Sequence, residues 1–332
     1  MKIAIIGGGW VGCHLAYKFQ KDHQVKIFEK NSKLFNETSY NNQNRLHLGY
    51  HYARSHETRE LCQTTFDRFL NDYEFATKTI NKNWYCVSKN NSLIDYKTYT
   101  KIFEGFDYSE SLNNFEQIEG CINTGERYIN FEKMFHFFNK NLTFEEKQIS
   151  SKELKKLQKE YDLVINATNN HISDKTLDNF FYELTISLLY KKITNTDFDS
   201  LTVVDGDLFS IYPYSNDIFT VTDVEHTPIK KFKKIKNLST FVNQGITDNL
   251  IDEKRLLIEH KISGYYPKFL EEFEYYSYFI STKSKVSIRS DSRYPVISRT
   301  DNLVNCFTGK IQGIYLIEDY IKEIIDGKNT TN

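Results

Sequence analysis

The sequence predicts an α/β fold in which a discontinuous parallel-sheet domain is interleaved with a mixed or antiparallel sheet domain. Three observations carry this expectation. A strand, glycine turn, helix and second strand open the chain over residues 2–29. The run Tyr161 to Thr168 is apolar and ends in small polar residues, as a buried parallel strand does where it opens on a ligand. A strand, loop and helix close the chain over 303–325, while the stretches between these pieces read as antiparallel material. At 332 residues the chain also exceeds what one compact core usually holds.

Taken in order, Lys2–Ile6 is a short buried strand, Gly7–Gly12 a glycine turn, and Val11, Leu15 and Phe19 mark one face of a helix. Gln24–Phe28 is the second strand, closed by Glu29. Residues 31–52 are polar, Asn-rich and without period, which indicates a long ordered loop of the kind that carries function. Helices are expected at 55–73, 96–103, 131–141, 248–263 and 314–325, and strands at 84–87, 142–144, 273–282 and 303–307. Phe209–Tyr212 and Ile218–Val221 form a pair of strands joined by the turn residues Ser215-Asn216-Asp217. No clean linker divides the chain, so the expected domains are interleaved: 1–75, 126–170 and 285–330 for the parallel unit, 76–125 and 171–284 for the cap.

Composition narrows the function classes. An abundance of aromatics (23 Tyr and 25 Phe) against 4 Pro and 14 Gly excludes disorder. Lys+Arg and Asp+Glu nearly cancel, 43 against 44, so no global field draws the chain to nucleic acid or anionic lipid. The basic run 230–236 is expected to be a solvated loop or helix face. Five scattered cysteines suggest neither a disulfide framework nor a metal site, and no run is long enough to span a bilayer. A reduced cytoplasmic protein, monomer or homodimer, is the expectation.

The chemistry is read from motifs. Gly7-Gly8-Gly9-Trp10-Val11-Gly12 fits G-x-G-x-x-G after a strand and before a helix. Gly7 permits the tight turn, Gly9 lets the main chain approach a pyrophosphate, and Gly12 lets helix and strand pack closely. The main chain at Trp10 and Val11 then begins a helix whose positive end faces the phosphate. Glu29, followed by Lys30, lies where a carboxylate accepts bonds from ribose hydroxyls. These features predict a Rossmann-like dinucleotide site. A nicotinamide domain would continue with βα units after Glu29. This chain instead leaves the sheet and returns late, as a cofactor with a long ribityl arm requires, so FAD is the expected cofactor.

Asn42-Gln43-Asn44-Arg45-Leu46-His47-Leu48-Gly49-Tyr50-His51-Tyr52 resembles the segment after the Glu strand in the FAD-dependent D-amino-acid-oxidase-like superfamily. The nearest pattern is that of the branch with L-2-hydroxyglutarate and glycerol-3-phosphate dehydrogenases. His47, Gly49 and Tyr52 match H-x-G-x-x-Y, and Asn42 stands for a small polar residue where Gln43 replaces the usual serine. The strand ending Asn166-Ala167-Thr168 is similar to the family's second FAD-contacting strand. Thr308-Gly309-Lys310-Ile311-Gln312-Gly313 resembles its last segment, with Lys310 and Gln312 as departures.

The resemblance implies FAD contacts from Gly7, Gly9, Trp10, Val11, Gly12, Glu29, Lys30, Asn42, Arg45, Leu46, His47, Ala167, Thr168, Gly309, Lys310, Ile311 and Gln312. It also implies oxidation of a CH–OH or CH–NH centre in a small polar substrate by hydride transfer to flavin N5. His47 and His51 are the acid–base candidates. Arg45, Arg289 and Arg293 are candidates for holding an anionic substrate, and a sugar derivative is the alternative substrate class. Lys310 either supports negative charge on reduced flavin or is solvated, and Tyr212 and His226 are candidates to reach the substrate. Two rivals stand beside this reading: an FAD enzyme without net redox, such as a sugar mutase, and a silent FAD-fold binding protein.

Overall fold

A computed structural model describes residues 1–111, 115–172, 180–206, 209–286 and 293–327. Its framework is a six-stranded sheet in the order Val296–Thr300, Leu303–Phe307, Leu163–Asn166, Lys2–Ile6, Gln24–Glu29, Phe144–Glu146. All neighbours are parallel except the antiparallel edge strand Val296–Thr300. Buried on both faces, a parallel sheet needs apolar side chains in both phases of the pleat. Accordingly Ile3 and Ile5 pack against helices Trp10–Phe19, Phe131–Asn141 and Ile314–Ile325 through Leu15, Met134, Phe138 and Ile317. Ala4 and Ile6 face the other way, onto Leu154 and Leu157 of helix Ser151–Glu160.

Helix His56–Tyr73 starts where Ser55 accepts the Thr58 N–H, and it buries Leu61, Thr65, Phe69 and Tyr73 at i, i+4 spacing. The helices expected at 131–141, 248–263 and 314–325 have those bounds. The strand expected at 142–144 lies two residues later, because Leu142 closes the preceding helix and packs in the core.

A second, nine-stranded sheet is mixed. Its order runs Pro228–Phe232, Phe180–Lys192, Ile218–Asp223, Phe209–Ser215, Ser200–Val204, Asn83–Ser88, Ile118–Thr124, Tyr108–Ser111, and Phe273–Val286 pairs with Phe180–Lys192 as well. Only Ser200–Val204 with Asn83–Ser88 is parallel among these pairs. The strand expected at 273–282 continues to Val286 because its partner is long enough to pair with all of it. The basic run forms edge strand Pro228–Phe232 and the start of helix Ile235–Gln244. A small sheet pairs Arg45–Leu46 of the polar loop with Arg127–Ile129, and that strand with Thr77–Thr79.

One expectation is overturned. Cys86 and Cys121, far apart in sequence, face each other across the antiparallel strands Asn83–Ser88 and Ile118–Thr124 and form a disulfide. Spacing along the chain does not reveal such a pair, because the strand register creates it. Cys13, Cys62 and Cys306 are buried thiols. Among the described residues, no helix is long and apolar enough to cross a membrane, and no cluster of metal ligands occurs.

Candidate active site

The glycine turn is built for close approach. Gly7 has φ +100°, and a Cβ there would lie 2.7 Å from the Ala167 carbonyl oxygen. A Cβ on Gly12 would lie 1.9 Å from the Gly7 oxygen, so helix and strand could not pack as they do. Helix Trp10–Phe19 has Gly9 as N-cap with no side chain to cap it; Ser39 Oγ takes the Trp10 N–H, and other first-turn N–H groups are left for a ligand. At the end of the second strand, Glu29 Oε2 accepts from Gly8 N at 2.7 Å, and Oε1 accepts from Asn31 N and Nδ2 at 2.9 and 2.8 Å. A bare cradle, a helix start with open N–H groups and an anchored carboxylate together fit a dinucleotide.

From this cradle a cavity of about 1450 Å³ runs between the two large sheets. Its far wall is one face of the nine-stranded sheet. Thr185 and Ser281, opposite each other in register, are 3.0 Å apart through their hydroxyls. Ser210 and Thr222 form a second such pair at 3.1 Å. Gln43 Nε2 reaches Ser210, Thr222 and Thr220 at 3.2, 3.0 and 3.4 Å. Alternation puts aliphatic residues of these strands into the opposite core and leaves hydroxyls for the cavity.

Arg45, Lys283, Arg293 and Lys310 are four of the cations that line this space. Among the described residues, none of these four has a carboxylate within ion-pair distance. Arg45 is 7% exposed and lies over the Tyr212 ring at 4.0 Å. It donates to Thr202 Oγ1 at 3.2 Å, while its Nε and second Nη have no partner. Lys283 projects into the cavity, reachable by what fills it. Burial, with Arg293, Arg45 and Lys283 adding repulsion, pushes Lys310 down to about 7.

Lys310 Nζ lies 3.2 Å from His47 Nε2 and over the Tyr52 ring at 4.7 Å. Burial, then the charges of Lys310 and Arg45, hold His47 and His51 well below the usual histidine range, so both rings are neutral near pH 7. Glu126 lies behind His47, with Oε1 3.6 Å from Nδ1. The same oxygen accepts from Leu48 N at 2.7 Å, and Oε2 accepts from the Tyr85 hydroxyl at 2.6 Å.

Gly7, Gly9, Trp10, Val11, Glu29, Lys30, Asn42, Arg45, His47, His51, Ala167, Thr168, Arg293, Gly309, Lys310 and Ile311 all line this one cavity. Trp10 does so along its main chain, since its ring packs on Phe35 and Phe138 in the core. Lys30 is paired with Glu37. Gly12, Leu46 and Gln312 do not line it. Gln312 clamps the His47 main chain: its Nε2 donates to His47 O at 2.9 Å and its Oε1 accepts from His47 N at 3.1 Å. Tyr212 is buried beneath Arg45, and His226 is held by Asp223 away from the lining. Arg289 lies outside the described residues. The sequence reading missed Ser39, whose Oγ accepts from Trp10 N at 2.9 Å, and also Lys283 and Glu126. Ser39 ends a Thr-Ser pair shortly after Glu29, a signal that was available; Lys283 and Glu126 carried none.

Residues 2–84 match the family model described as FAD dependent oxidoreductase (DAO). FAD-dependent monooxygenase FPY4 of Fusarium mangiferae is 32% identical, over 98% of this chain and 92% of that protein. Among solved structures, the modified fructosyl peptide oxidase from Aspergillus nidulans superposes with TM-score 0.69 at 12% identity, covering 99% of this chain and 91% of that one. Glycine oxidase from Geobacillus kaustophilus gives 0.68 at 11% identity, over 99% and 95%.

Proposed function

Because this chain belongs to the DAO family of FAD-dependent oxidoreductases, we propose that it oxidises a small, polar, anion-bearing substrate at a CH–OH or CH–NH centre. Segments 1–75, 126–170 and 285–330 form the FAD-binding unit in this reading, and 76–125 and 171–284 the cap. The helix N-terminus at Gly9, Trp10 and Val11, with Ser39, holds the diphosphate, and Glu29 holds the ribose hydroxyls. Thr168 and the Gly309–Ile311 main chain hold the far end. When bound, FAD supplies a two-electron oxidant that accepts hydride.

The observation that carries the substrate class is Arg45. A buried guanidinium with two unpaired donors is costly unless a ligand completes it, and a carboxylate does so in two-pronged fashion. The facing hydroxyl wall suits a substrate that itself carries hydroxyl or amino groups. Neutral His47, Lys310 and Tyr52 line the floor and exclude bulk water from the reacting group.

The name of the Fusarium relative favours a second reading, in which dioxygen donates an atom to the substrate. Turnover under ¹⁸O₂ separates the two. Simple dehydrogenation predicts an unlabelled organic product with an equal amount of labelled peroxide, or of a reduced alternative acceptor; label in the organic product would establish the monooxygenase reading instead.

A further inference from the structure

Resting on that reading, we propose that Lys310, His47 and Glu126 form one proton relay, with Lys310 taking the proton from the substrate's O–H or N–H group. His47 and Glu126 act through Lys310 as positioning residues. In the step, the substrate's X–H bond breaks and a new N–H bond forms on neutral Lys310. The carbon-bound hydrogen leaves with its electron pair to the FAD, the oxidant of the family's reaction, and a C=O or C=N bond remains.

The geometry makes the three residues a unit. Lys310 Nζ, in the cavity, contacts His47 Nε2 at 3.2 Å. An ammonium at Lys310 donates to that nitrogen, so the neutral ring then carries its hydrogen on Nδ1. Nδ1 is buried without a hydrogen-bond partner, and the nearest acceptor is Glu126 Oε1 at 3.6 Å. That separation exceeds a hydrogen bond, and a ring movement of about 0.7 Å closes it. Glu126 is fully buried, and burial raises its carboxyl. Hydrogen bonds from Tyr85 and Leu48 oppose that rise and favour the charged form. A buried carboxylate reached by no solvent thus stands behind a histidine that touches the Lys310 amine in the cavity.

Burial and the cations around Lys310 hold its proton affinity down, while Cys62 opposes them. Arg45, His51 and Tyr52 approach from the polar loop, Cys62 from helix His56–Tyr73, Lys283 from strand Phe273–Val286, and Arg293 from the final return. Burial, with three like charges, lowers its proton affinity to about 7, so near neutral pH a large share is free amine able to accept a proton. In the proposed relay Glu126, behind His47, opposes that fall. Removing its charge lowers the proton affinity of Lys310 further, while a glutamine keeps an acceptor for Leu48 N.

The test is competitive labelling of the FAD-loaded protein with acetic anhydride across pH, read peptide by peptide, with exposed Lys101 as internal reference. Lys310 is expected to titrate near 7, far below Lys101. In Glu126→Gln, the midpoint is expected to fall by about half to one pH unit, and the pH profile of flavin reduction by substrate to move with it. Tyr85→Phe, which removes a donor to the carboxylate, shifts it in the same direction and serves if Glu126→Gln does not fold. A Lys310 midpoint in the ordinary lysine range, or one unmoved in both variants, overturns the relay. A chain that binds no FAD sinks the family-based reading instead, and labelling of the FAD-free chain still reports on Lys310.

Discussion

Replacing Gly12 by alanine is the sharpest perturbation of the cradle. The new Cβ would lie 1.9 Å from the Gly7 carbonyl oxygen and 3.0 Å from its carbon, both main-chain atoms. Ordinary contact begins at 3.4 Å, so helix and turn must separate by about 1.5 Å. Forcing atoms into a packed region costs about 1–3 kcal/mol of stability. The functional cost is separate. A displacement of that size takes first-turn N–H groups out of hydrogen-bond range of a diphosphate. Two lost charge-assisted bonds at about 1.5–3 kcal/mol each weaken FAD binding by about 10²- to 10⁴-fold. The assay is titration of FAD-free protein with FAD, followed by flavin fluorescence, beside a thermal melt of the same sample. Gly125→Ala is the control, since nothing lies within 4 Å of a Cβ there. A folded Gly12→Ala protein with FAD affinity within threefold of the parent would refute the placement of the diphosphate.

Other consequences lie elsewhere in the molecule. Glu318 is buried among His14, Arg68 and Lys322; burial opposes its ionisation, but the hydrogen bonds from His14 and Lys322 win and hold its carboxyl down at about 2. A depressed carboxyl contributes stability that is complete above its unfolded value of 4.5 and lost as pH falls through about 2. Glu318→Gln should therefore lower stability at pH 7 by about 3 kcal/mol and flatten the acid limb; equal urea midpoints would contradict this. The Cys86–Cys121 bond closes a loop of sequence separation 35, worth about 3–4 kcal/mol in the chain-entropy model. Thiol titration of the unreduced, denatured chain should find three of the five cysteines free, and reductant should lower the melting midpoint; five reactive thiols would exclude the bond. Arg45→Met should weaken binding of glycolate, used as a carboxylate probe and followed by the flavin spectrum, by at least about tenfold. An unchanged affinity would remove Arg45 from the anion site.

The sequence disclosed those parts of this molecule that short-range chemistry dictates. The glycine turn needs positive φ at Gly7 and no Cβ at Gly12, and both demands are written in residue types. Helices 131–141 and 248–263 follow from apolar positions with Asn130 and Thr247 as caps, and 314–325 from apolar period alone. What stayed hidden depends on register between distant strands. Cys86 faces Cys121, Thr185 faces Ser281 and Glu183 faces Lys283 because of pairings that no local pattern encodes. Glu126 begins a short turn into strand Arg127–Ile129, and only the small sheet that pairs this strand with Arg45–Leu46 brings it behind His47. Gln312 looked like a departure at the cofactor, whereas its amide clamps the His47 main chain.

The central claim is that this cavity holds FAD and passes to it a hydride from a polar, anion-bearing substrate. The direct measurement is the visible absorption of the FAD-loaded protein mixed anaerobically with hydroxy acids, amino acids, polyol phosphates and sugar derivatives. The account predicts bleaching of the bound flavin by at least one anionic member, with the rate reduced in Arg45→Met. Bound flavin that no such compound reduces, or a chain that never takes up FAD, would contradict it.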